Sequence, residues 1–149
     1  MIDLAGSLAA SGVHLIDLTM GEDPALFDPS GAGFDRLIDL IKSIREATGL
    51  PIMVSPGVMS QNILARLAEA GASWYACYQE THQRKLFDKL RPGQDYDLRL
   101  ESKLNAHDLG LLIEEGLLCG AVETQRDIAE SMPVMRQVDE QEDGVKTVV

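Results

Sequence analysis

The chain has 149 residues, 45% of them hydrophobic, and its 13 basic and 24 acidic side chains give a formal net charge of −11. This length suits one ordinary domain but falls short of the roughly 250 residues of a complete (β/α)8 barrel. The acidic balance argues against binding nucleic acid through its phosphates, and the absence of a long uncharged apolar run argues against a membrane protein.

Helices and strands alternate along the sequence. In chain order we predict a helix at 2–11, a strand at 13–19, a helix at 34–48, a strand at 52–55, a helix at 60–70, a strand at 72–78, helices at 84–90 and 97–109, a strand within 111–121, a helix at 124–138 and a strand at 144–149. Gly49 is placed to end the second helix, and Pro133 is expected to kink or split the last one.

Strands that alternate with helices specify parallel β-α units, so the sequence predicts the α/β class with about five parallel strands. A closed barrel needs about eight strands, so this is a partial TIM-type (β/α) barrel. No repeat or linker divides the chain, and we expect residues 1–149 to form a single domain.

The start of the chain and its cysteines favour a cytoplasmic protein. Residues 1–5 lack the basic start of a secretory signal peptide. Cys77 and Cys119 both lie in stretches predicted as apolar strands, so we expect two small buried residues in a reducing compartment.

Charged residues follow the predicted strands, where parallel sheets bind their ligands. Glu80 lies just past the end of the strand at 72–78, Arg91 comes near the following Pro-Gly turn, and Arg99 lies on the next helix. A carboxylate and two guanidinium groups can hold the ammonium and the carboxylate of a zwitterion. The alternative is a surface network of ion pairs, in which Glu80 and Arg99 pair with each other.

Asp17 lies inside the first predicted strand, where an acid is costly unless it is paired or hydrogen-bonded. It shares a face with Leu15 and Thr19 that we expect to be the barrel interior. A structural acid held by a lysine or by backbone amides and a ligand for a substrate ammonium are both compatible with this position.

Three stretches in the same order resemble the radical SAM (S-adenosyl-L-methionine) enzymes, and most closely the methylornithine synthases. They are His-Leu-Ile-Asp-Leu-Thr-Met-Gly-Glu-Asp-Pro at 14–24, Gly-Leu-Pro-Ile-Met-Val-Ser-Pro-Gly at 49–57, and Tyr-Gln-Glu-Thr-His at 78–82 with Lys-Leu-Arg-Pro-Gly-Gln-Asp-Tyr-Asp-Leu-Arg at 89–99. The resemblance covers nearly the whole chain and implies an internal segment of a radical SAM barrel. That segment would lack the cluster-binding first unit and the last units of the barrel.

The resemblance also implies an activity and its ligands. The family rearranges L-lysine to 3-methyl-D-ornithine in pyrrolysine biosynthesis, with SAM and a [4Fe–4S] iron–sulfur cluster as cofactors and an electron donor for the cluster. Substrate would contact Asp17 and Ser55. Matching positions for SAM are Gly21, Glu22, Tyr78, Glu80, Arg91 and Arg99. No catalytic residue and no metal ligand falls in this chain.

Two departures from the family pattern stand out. Val122 replaces a glycine of the turn that helps to seat the SAM adenosine, and the Cys-x-x-x-Cys-x-x-Cys cluster motif is absent from the sequence. We therefore expect the isolated chain to be inactive. The alternatives are another radical SAM enzyme, related to the hydrogenase-maturation enzymes or to biotin synthase, and a catalytically inert barrel segment.

Overall fold

A computed structural model describes residues 1–120 and 122–140, with the backbone alone for 137–140. Strands are short and helices lie between them, as the alternation in the sequence predicts. The strands are β1 (Ile16–Thr19), β2 (Ile52–Ser55), β3 (Trp74–Ala76) and β4 (Leu112–Glu114). The helices are α1 (Ile2–Ala10), α2 (Ala32–Thr48), α3 (Gln61–Glu69), α4 (Arg84–Leu90), α5 (Tyr96–Asp108) and α6 (Gln125–Glu140).

The four strands form one parallel sheet in the order β1-β2-β3-β4. Thr19 pairs with Ser55, and Ala76 pairs with Glu114, so the last residues of neighbouring strands stand side by side. The α/β class and the parallel sheet are confirmed. The predicted strand at 144–149 lies outside the described residues.

The sheet has one packed face and one open face. Side chains alternate across a strand, and one set packs with the helices into a single core, as Ile16, Ile52, Val54, Tyr75 and Ile113 do. Helix α2 supplies Leu37, Ile38, Ile41 and Ile44 to this core. Gly49 ends the helix with φ 67, and its backbone N–H donates a hydrogen bond to the Arg45 carbonyl. The opposite face presents Asp17, Thr19, Ser55, Ala76 and Glu114.

Two local features differ from the sequence-based expectation. Helix α6 runs through Pro133 without being split there, and buried residues, Ser131 and Met135, lie on both sides of the proline. Cys77 is buried as predicted, but Cys119 is exposed, because β4 ends at Glu114 and the following residues form a loop. Within the described residues, no helix has the length and apolar character that crossing a membrane requires.

Candidate functional site

The carboxyl ends of β1, β2 and β3 open into a cavity of about 230 Å³. Six of the eight residues predicted to bind substrate or cofactor line it: Gly21, Glu22, Ser55, Tyr78, Arg91 and Arg99. Glu80 contacts the cavity through Arg91, with which it forms an ion pair. Asp17 does not line the cavity but lies on the same face of β1, where it accepts a hydrogen bond from the lining residue Thr19.

Arg99 is the most connected side chain of the cavity. Its side chain is only 3% exposed, and its Nη1 donates to Glu22 Oε1 and to Gln94 Oε1 at 2.9 Å each. Its Nε and Nη2 donate to the Tyr78 carbonyl at 3.2 and 3.0 Å. The guanidinium therefore joins the loop after β1, the end of β3 and the loop before α5.

The acid that compensates Arg99 differs from the one the sequence suggested. Arg99 lies in the first turn of α5, where the helix dipole disfavours a cation and where Asp95 caps the helix amides. Its partner is Glu22, which is 77 residues away in the chain, and not Glu80. Sequence proximity favoured Glu80, but the return of the chain after β1 brings Glu22 closer.

Glu80 pairs with Arg91 and has an unusual backbone. Both side chains are about a quarter exposed, so the pair borders the cavity without being sealed from water. Glu80 has φ 66, the only positive φ of a non-glycine residue in the described part of the chain. Because a side chain is strained in this left-handed region, its occurrence beside a cavity is typical of functional sites.

Tyr78 donates its hydroxyl to Glu114 Oε1 at 2.7 Å. Burial, followed by the hydrogen bond to Glu114, raises the pKa of Tyr78 above its ordinary value, so the phenol is protonated at neutral pH. Glu114 was missed in the sequence. Its signal was an acid at the end of a predicted strand, in phase with the inward-facing residues.

Ser55 and Gly57 shape the opposite wall of the cavity. The Ser55 hydroxyl oxygen is buried and has no hydrogen-bond partner in the described structure. Gly57 has φ 87, and a Cβ there would lie 2.2 Å from Glu22 Cγ, so glycine is needed for Glu22 to reach Arg99. Tyr75 holds this turn by donating its hydroxyl to the Gly57 carbonyl at 2.5 Å.

The expected burial of Asp17 was wrong. Its side chain is exposed and accepts a hydrogen bond from Thr19 Oγ1 at 2.8 Å. Asp17 is exposed to water, although Ala76 on the same face of the sheet is buried, and the hydrogen bond that it accepts comes from Thr19 and not from a lysine. Its use as a structural acid is thereby disfavoured, while its access to a ligand is retained.

A buried polar cluster lies behind the cavity, and the sequence did not indicate it. Lys103 pairs with Glu115, and Glu115 Oε2 is 3.6 Å from Nε2 of His82, whose Nδ1 is 2.8 Å from the Tyr96 hydroxyl. Burial, and then the charge of Lys103, lowers the pKa of His82 to about 4, so this imidazole is neutral at pH 7. In the described residues, no group of three or more His, Cys, Asp or Glu is placed to hold a metal ion.

Comparison with known proteins finds relatives named 3-methylornithine synthase and, at lower identity, relatives named biotin synthase. A curated 3-methylornithine synthase from Methanosarcina acetivorans is 38% identical over 133 residues, which cover 89% of this chain and 37% of the relative. The 3-methylornithine synthase of Methanosarcina barkeri is 42% identical over 115 residues, or 76% of this chain and 31% of the relative. The chain thus spans about a third of the length of these relatives. No protein-family model matches it.

Solved structures agree with the sequence relatives. The crystal structure of methylornithine synthase (PylB) matches 99% of this chain with a TM-score of 0.86 and 35% identity, and the chain covers 42% of it. HydG, a maturase of the [FeFe]-hydrogenase, matches with a TM-score of 0.75 at 20% identity, covering 99% of this chain and 34% of HydG, which shows the fold alone. The curated relatives and the PylB structure confirm that the chain resembles a segment of the methylornithine synthases.

Replacing Arg99 by lysine should destabilise the described fold. A lysine keeps the charge, but its single nitrogen cannot reproduce the four hydrogen bonds that three guanidinium nitrogens donate, so buried acceptors lose partners. We expect Arg99→Lys to lower the free energy of unfolding by about 1–3 kcal/mol, measured by urea denaturation. The control Arg126→Lys changes an exposed i,i+4 pair with Glu130 and should cost under about 0.5 kcal/mol. Equal effects of the two variants would contradict the central position of Arg99.

The buried His82 should make stability depend on pH between about 6.5 and 4. Its pKa is depressed in the folded state, so the unfolded chain binds a proton first and stability falls as the pH drops through this window. Between pH 7 and pH 5, the free energy of unfolding should fall by about 1–2 kcal/mol less in His82→Gln than in the wild-type chain, measured by urea denaturation at both pH values. Replacing the exposed His14 in the same way is the control. A wild-type slope that His82→Gln leaves unchanged would show that His82 does not cause it.

Proposed function

We propose that this chain, which corresponds in sequence and fold to a segment of the methylornithine synthases, helps a radical SAM enzyme to hold SAM and L-lysine for rearrangement to 3-methyl-D-ornithine. One observation carries the proposal. Two acid–arginine pairs, Glu22 with Arg99 and Glu80 with Arg91, meet at one cavity at the carboxyl ends of parallel strands. SAM and lysine are both α-amino acids, and each offers an ammonium and a carboxylate on one carbon.

The residues present fit the amino-acid end of SAM. Arg91 is a quarter exposed beside the cavity, so its guanidinium can bind a carboxylate directly. Glu22 and Glu80 are partly exposed acids that can accept the ammonium, and Gly21 lets the backbone approach closely. Arg99 is buried and already donates four hydrogen bonds, which supports a role in holding Glu22 and Tyr78 as much as a direct contact.

Substrate lysine is assigned to the open face next to this cavity. Asp17 offers an exposed carboxylate for an ammonium group, and Ser55 offers a buried hydroxyl with no partner in the described structure. Thr19 lies between them, bonded to Asp17 and in register with Ser55 on the neighbouring strand. An amino acid bound here would lie alongside SAM, as a reaction between the two requires.

The hard chemistry would come from the cofactors. A reduced [4Fe–4S] cluster would supply the electron for reductive cleavage of SAM, and SAM would supply the radical chemistry that the rearrangement needs. The sequence lacks the cysteine motif that binds such a cluster, so its ligands would have to come from outside these 149 residues. We propose that the residues described here bind, orient and shield the reactants.

Two alternatives to this proposal are a radical SAM enzyme with a different substrate and a catalytically inert segment. Another radical SAM enzyme would use the same SAM residues with a different small molecule at Asp17 and Ser55. An inert segment would bind neither ligand. The first is separated from our proposal by comparing lysine with other amino acids in a binding assay, and the second by the presence or absence of SAM binding.

In a complete enzyme that contains this segment, Asp17→Asn should weaken the binding of lysine and leave the binding of SAM unchanged. The substitution keeps the volume and removes the charge that faces an ammonium. We expect the dissociation constant of lysine to rise by about 10- to 150-fold, which corresponds to roughly 1.5–3 kcal/mol, by isothermal titration calorimetry.

The exposed Asp39, on the far side of α2, provides a matched control, and Asp39→Asn should change neither affinity. Unchanged lysine binding in Asp17→Asn would remove Asp17 from the substrate site. An equal decrease in affinity for lysine and for SAM would show that Asp17 contributes to SAM binding or to the stability of the fold, and not to the substrate site alone.

A further inference from the structure

The segment at 78–82 has two sides with different environments. Tyr78 lines the cavity and Glu80 borders it through its ion pair with Arg91, whereas the side chains of Gln79, Thr81 and His82 are buried. A segment that carries two ligand-facing residues is therefore attached to the protein through the residues between and beyond them. What fixes the buried side also sets the direction of the cavity side.

Glu80 needs such attachment because its backbone is in the left-handed region, with φ 66. A glutamate adopts this conformation only where the surroundings impose it. Without restraint on its neighbours, the residue would relax to an extended or helical backbone. Its carboxylate would then leave Arg91 and the edge of the cavity.

Four hydrogen bonds from three parts of the chain provide the restraint. The Gln79 amide donates to Glu115 Oε1 at 3.4 Å, and the Gln79 side-chain Nε2 donates to the Tyr96 carbonyl at 2.9 Å. The His82 amide donates to Ser131 Oγ at 2.9 Å, and the Glu80 carbonyl accepts from Leu118 at 2.9 Å. Leu118 bonds the strained residue itself, and Glu115, the acidic member of this set, bonds the residue directly before it.

Glu115 is itself fixed by a buried charge. Its Oε2 pairs with the ammonium of Lys103, whose side chain has no exposure to solvent, and its Oε1 also accepts from the Gly116 amide at 3.1 Å. Buried ion pairs contribute little net stability, and apolar replacements of similar volume are often neutral or stabilising. The pair at 103 and 115 therefore calls for a reason other than stability, and its contact with Gln79 provides one.

We infer that Glu115, oriented by Lys103, is a positioning residue that holds the Gln79–Glu80 backbone so that the Glu80 carboxylate and Arg91 are set for the amino-acid end of SAM. The inference rests on the proposed function for its ligand. Its structural part, the restraint of the Gln79 backbone by Glu115, does not.

Two double variants separate the hydrogen-bond acceptor from the charge. Lys103→Met with Glu115→Gln removes both charges but keeps an oxygen for the Gln79 amide. Lys103→Met with Glu115→Met removes the charges and the oxygen with nearly the same shape. In a complete enzyme containing this segment, we expect the Met/Gln protein to bind SAM within about threefold of wild type. The Met/Met protein should bind SAM at least tenfold more weakly, with a melting temperature close to that of the Met/Gln protein.

Amide hydrogen exchange at residues 79–81 supplies a readout that needs no ligand. Exchange should be slow in the wild-type and Met/Gln proteins and faster in the Met/Met protein. Equal SAM affinity and equal amide exchange in the two double variants would overturn the inference. An equal loss of SAM affinity in both variants would overturn it as well. If wild type binds no SAM, the proposed function fails, but the exchange comparison still decides the positioning role. If the Met/Met protein does not fold, fast exchange of the Gln79 amide in wild type would overturn the inference and slow exchange would support it.

Discussion

The guanidinium of Arg99 is the interaction on which the arrangement of the cavity depends. It is almost fully buried and bonded to three separate parts of the chain, through Glu22, Gln94 and the Tyr78 carbonyl. A buried cation requires such partners, because an unpaired charge is far more costly than an unpaired neutral group. The same bonds that satisfy Arg99 therefore fix the loop after β1 and the end of β3, which form two walls of the cavity.

The rest of the site follows from this constraint. Glu22 reaches Arg99 only because Gly57 leaves room for its side chain, and Tyr75 holds the Gly57 turn from the packed side of the sheet. In the second pair, Arg91 is a quarter exposed, whereas Arg99 is almost fully buried, so Arg91 is the guanidinium that can exchange its contact with an acid for a ligand. The cavity thus combines a buried arginine with a more accessible one.

Local sequence patterns were sufficient for the fold but not for the partners within the site. Helix α4 has the predicted bounds, Gly49 ends α2, and most residues that we predicted to bind ligands collect at the strand ends because parallel topology places them there. The pairing of Arg99 with Glu22 could not be predicted, since their separation of 77 residues is bridged only by the fold. Lys103 likewise resembled a solvated helix residue, and only the packing of α5 against β4 shows that it is buried with Glu115.

The central claim is that the pair of Glu80 with Arg91 at this cavity receives the amino-acid end of SAM. The affinity of the Arg91→Met variant for SAM tests this claim most directly. The measurement is calorimetric titration of a complete enzyme containing this segment, with the exposed Arg84→Met as the comparison. The account predicts a dissociation constant at least tenfold higher for Arg91→Met, or about 1.4 kcal/mol or more, and no change for Arg84→Met. Wild-type affinity in Arg91→Met would contradict the account and place SAM elsewhere.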